Sequence, residues 1–146
     1  MGVADYSALR QAIATQIGAN ITTTGVQVAV EKEFAYNEKW VGIYVGTRDA
    51  PDGEQWISYG RRTRMFIPVQ IWVWAYGMQD SIAMSNRDSL LGDVELSLLL
   101  DHTFSNVAET SWFDTVKFPS GKDPMPGKFW AGASLDLVCR MSVLVQ

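Results

Sequence analysis

Between Arg62 and Tyr76 the chain reads RTRMFIPVQIWVWAY, a pattern with a period of two. The odd positions, Thr63, Met65, Ile67, Val69, Ile71, Val73 and Ala75, are almost uninterruptedly apolar. The even positions, Arg62, Arg64, Phe66, Pro68, Gln70, Trp72, Trp74 and Tyr76, begin cationic and end aromatic. Successive side chains of a strand point to opposite faces. The run therefore predicts one long strand with a core face and a second, aromatic face. Two Trp and a Tyr on a second face need cover, from a helix or from another protein chain. Pro68 has no N–H to give to a ladder, which predicts a bulge or a sheet edge on that side.

The last run, Trp130 to Val145, alternates in the same way. Ala131, Ala133, Leu135, Leu137, Cys139, Met141, Val143 and Val145 share one face, and Gly132, Ser134, Asp136, Val138, Arg140, Ser142 and Leu144 share the other. Two long alternating strands predict an antiparallel pair with helices on the aliphatic face. Shorter strands are expected at Val26–Val30, at Lys39–Val45, where apolar residues predict burial on both faces, and at Trp112–Phe118. Trp56 to Arg61 is expected to begin the strand that the long run continues. Gly46 to Gly53 is a turn by composition. Pro119 to Lys128, with three prolines and two glycines, is an irregular loop.

Asp5 to Ala19 predicts a helix, since Leu9, Ile13 and Ile17 recur every fourth position and Gly18 and Asn20 are stop signals. A second helix is expected to be capped by Ser85 or Asn86, to carry Asp88 in its first turn and to end near His102 or Thr103. Leu90, Leu91, Val94 and Leu98 form one apolar stripe. Leu96, Leu99 and Leu100 widen it, which predicts a helix that lies on the sheet and meets a second surface as well. The whole predicts an α+β fold in a single domain over residues 1–146: a mostly antiparallel β-sheet with two α-helices packed on one face.

Composition narrows the function. At 146 residues with 47% hydrophobic side chains the chain buries a sizeable core and is not disordered. A net charge of −4 disfavours nonspecific DNA binding. No apolar run reaches the length of a membrane helix, and the N-terminus shows no secretory pattern. One Cys and one His exclude an intrachain disulfide and His-rich or Cys-only metal sites, which fits a reduced, cytosolic origin.

Candidate chemistry is thin. His102 beside Asp101 reads as a helix-end residue, Cys139 as a buried, inert thiol, and Glu31 with Glu33 as a solvated strand end. No P-loop, GxGxxG, HExxH or EF-hand pattern occurs. The chain is expected not to be an enzyme, to bind no cofactor and to hold no metal. Arg61, Arg62 and Arg64 form the only basic cluster, and Trp72, Trp74 and Tyr76 lie roughly 30 Å further along the strand at about 3.3 Å per residue. That separation argues against an interleaved nucleic-acid platform. Both groups are candidates for a subunit or partner interface, since Trp, Tyr and Arg are enriched at interface centres.

The opening helix around Leu9, Ile13 and Ile17, the strand FIPVQIWVWAY, the helix SNRDSLLGDVELSLLL and the closing strand ASLDLVCRMSVLV together resemble the tail terminator (tail-completion) proteins of long-tailed bacteriophages. The likeness covers nearly the whole chain and is one of architecture, without a diagnostic motif. It implies a virion protein of the tail or neck, assembled in the host cytoplasm as a hexameric ring. Such a ring caps the tail tube, ends its polymerisation and presents a surface to head-completion proteins, while DNA passes its lumen without specific binding. Candidate contacts to tube or head are Arg48, Asp49, Asp52 and Glu54 in one loop and Lys122, Asp123, Met125 and Lys128 in another. The alternatives are another neck or minor tail protein, or a small-molecule or peptide binding module with an aromatic pocket around Trp72, Trp74 and Trp130.

Overall fold

The computed structural model describes residues 6–22, 25–31, 39–45, 62–118 and 129–144. The strand start expected at Trp56 to Arg61 lies outside the described residues. The elements follow as α1 (Tyr6–Asn20), β1 (Val26–Val30), β2 (Lys39–Val45), β3 (Arg62–Gly77), α2 (Asp80–Leu100), β4 (Thr110–Lys117) and β5 (Phe129–Leu144). The five strands form one sheet in the order β1-β2-β3-β5-β4. β1 pairs with β2 in parallel, and every other pairing is antiparallel. The α+β class predicted from the alternation is the observed one.

β3 and β5 are the spine. They pair without a register break from Arg62↔Leu144 to Gly77↔Phe129. An unbroken register keeps every odd residue of β3 on one face, opposite the odd residues of β5. Ile67, Val69, Ile71, Val73, Ala133, Leu135, Leu137 and Cys139 are accordingly all buried, together with Val41 and Ile43 of β2. Both helices cover this face. α1 contributes Leu9, Ile13 and Ile17, and α2 contributes Leu90, Leu91, Val94 and Leu98. Each such side chain stabilises the fold by roughly 1.5–3 kcal/mol when fully buried. The helices also clamp each other: Gln16 Nε2 donates to the carbonyls of Ser97 and Asp101 at 2.7 and 3.1 Å, and Ser97 Oγ donates to the Gln16 carbonyl at 2.9 Å.

Pro68 is accommodated without a bulge. The β5 ladder passes it in register as Pro68↔Val138, whereas the β2 ladder ends at Val69↔Val45. Among the described residues, position 68 is thus at an edge on the β2 side. Among the described residues, the sheet's register shifts between Phe113 and Thr115, in β4.

The start of α2 corrects the expected cap at Ser85 or Asn86 with Asp88 in the first turn. The helix begins at Asp80, and Gln79 in the cap position makes no side-chain capping bond. Tertiary packing sets this start. The first turn folds directly onto the end of β3, so closely that a Cβ on Gly77 would lie 2.7 Å from the Ala83 nitrogen. Asn86, expected as a cap, instead donates from Nδ2 to the Tyr76 carbonyl at 2.8 Å. The helix ends at Leu100, ahead of His102 and Thr103. α1 likewise runs through Gly18 to Asn20.

Candidate functional site

The sheet face opposite the helices collects the even residues of β3 with Trp40, Gly42 and Tyr44 of β2, the even residues from Trp130 to Arg140 of β5, and Trp112 of β4. It has two zones. In the first, rings are seated on glycines. Trp74 stands opposite Gly132, and a Cβ there would fall 2.5 Å from the Trp74 ring. Trp72 stands opposite Gly42, where a Cβ would meet Tyr44 at 2.7 Å and Trp40 at 2.8 Å. Trp72 and Trp74 stack with centroids 5.9 Å apart and planes 7° apart, and Trp72 Nε1 donates to Gln70 Oε1 at 2.8 Å. Tyr76 and Trp130 meet at 5.1 Å. Trp40 and Trp130 are buried, and Trp72, Trp74 and Tyr76 are half-buried. Most of the aromatic cover of this zone is therefore mutual. Trp72 and Trp74 stack on each other, and Trp130 turns to Tyr76.

The second zone is open. Phe66 is 55% exposed and Trp112 is 41% exposed. Their rings meet edge to face at 6.0 Å. Pro68 and Val138, half-buried, lie between their strands in register. A polar rim follows: Arg140 Nε donates to Glu109 Oε2 at 3.0 Å, and the Glu109 N–H donates to the Arg140 carbonyl at 2.9 Å. An apolar centre with a polar rim is the anatomy of a protein interface.

Residues 62 and 64 pair with Leu144 and Ser142 and so fall on the same alternation as Phe66. Nothing is described of their side chains, and Arg61 lies outside the described residues, as do Arg48, Asp49, Asp52, Glu54, Lys122, Asp123, Met125 and Lys128. Of the predicted interface residues, the structure brings Trp72, Trp74 and Tyr76 together, in the packed zone. The exposed pair was not singled out from the sequence. Its signal was present in the alternation: Phe66 is an even position of the long strand, and Trp112 opens its own strand pattern with a large apolar side chain.

The lone histidine lines a cleft of about 160 Å³ with Leu98, Leu99, Ser111, Trp112, Phe113 and Leu137. That volume is below the roughly 300–1,000 Å³ of small-molecule sites. Ser111 Oγ donates to the His102 carbonyl at 2.9 Å, not to its ring, so the two do not form a nucleophile and its base. The neighbouring Asp101 organises the turn after α2. Its carboxylate accepts from the Thr103 N–H and Oγ1 at 2.9 and 2.7 Å and from the Ser105 N–H at 2.8 Å. The bonds from Ser105 and Thr103 hold its pKa below the usual 3.8. They also brace three consecutive left-handed residues, Phe104, Ser105 and Asn106, with φ of 49°, 59° and 67°. Burial pushes the Cys139 thiol up to about 12, which keeps it protonated and unreactive. Glu31 pairs with Arg10 at 3.8 Å on the surface, and Glu33 is outside the described residues. Among the described residues no three His, Cys, Asp or Glu side chains are grouped to hold a metal ion. No described helix is long and apolar enough to cross a membrane. No model of a known protein family matches the chain, and no curated protein matches it.

Proposed function

We propose that this chain is a structural ring subunit at the head–tail junction of a long-tailed bacteriophage, a tail terminator that works by assembly alone. The observation that carries this reading is the exposed Phe66–Trp112 pair on the sheet face opposite α1 and α2, rimmed by the Glu109–Arg140 ion pair. Aromatic side chains at the centre of such a patch are the usual anchors of subunit contacts. A ring closes through one surface of each subunit meeting a different surface of the next. The architecture that resembles the terminator family supplies the remaining support, and with it the hexamer, the tail tube and the head-completion proteins as partners. The mechanism is steric: the closed ring occupies the end of the tube that the next tube subunit would need.

The test is mass in solution by light scattering over a concentration series, followed by tube-capping with purified tube protein. The expected result is a hexamer, or a climb toward one, lost in Phe66→Glu and Trp112→Glu. These positions suit the test because their side chains are exposed. Trp74→Asp does not, because Trp74 is packed over Gly132 and its loss disturbs the fold. A chain that stays monomeric at every concentration and leaves tube length unchanged would sink the proposal.

A further inference from the structure

We draw no further inference here: the strongest candidate, the apolar cleft between the end of α2 and β4 that Leu98, Leu99, His102 and Phe113 line, shares Trp112 with the patch already described, and nothing in the structure shows what fills or covers it.

Discussion

Gly132 has no room for a side chain, because the Trp74 ring occupies the place of its Cβ. Gly132→Ala should therefore destabilise the fold by about 1–3 kcal/mol through overpacking, read as a lower urea midpoint. Asp101 makes a prediction of a different kind. Its pKa is lowered in the folded chain, so its charged form adds stability above the ordinary value of 3.8. That stability is lost as the pH falls through the lower folded value. Melting temperatures of wild type and Asp101→Asn should thus differ at neutral pH and converge in acid. Neither effect was legible beforehand. Gly132 appeared only as one more position of an alternating strand, and the partners of Asp101 come from a turn whose left-handed backbone no pattern announces.

The elements were legible to the degree that periodicity governs them. Val26–Val30 and Lys39–Val45 have the predicted bounds, and the alternations around Ile67–Ala75 and Ala131–Met141 appear as one continuous core face. The start of α2 was not legible. Ser85 and Asn86 are good cap residues in isolation, but burial of Ala83 against the end of β3 outweighs a capping bond worth about 1 kcal/mol. Two changes probe the helices directly. Gly92→Ala should raise stability by about 0.5–1 kcal/mol in thermal unfolding, since its Cβ points into open space. Gln16→Ala should lower it by about 1–3 kcal/mol, because the Ser97 and Asp101 carbonyls lose their shared donor.

At the scale of the whole molecule, the candidate site was half legible. The aromatic face was read from Trp72, Trp74 and Tyr76, yet their packing on Gly42 and Gly132 makes them a second small core. The exposed aromatics of that face are Phe66 and Trp112, further along the sheet. Which end of a strand stays open depends on where the neighbouring strands stop, and that is a property of the sheet. Each copy carries a net charge of −4, so association should strengthen when salt is raised from about 0.01 M to 0.15 M, where screening shortens from about 30 Å to 8 Å. The same light-scattering series at two ionic strengths reads this. The long register between β3 and β5 also bears on how the chain reaches its fold. β4 pairs with its successor β5 and β2 with its successor β3, whereas the β3–β5 seam joins segments separated by all of α2 and β4. Such long-range pairing forms slowly, because a large loop must close before any contact rewards it. Until the seam zips, β3 and β5 each present a sixteen-residue unpaired edge and an apolar face to any neighbouring chain. Refolding yield should therefore fall as protein concentration rises, with exchange of the β4–β5 unit between two chains as the characteristic misassembly.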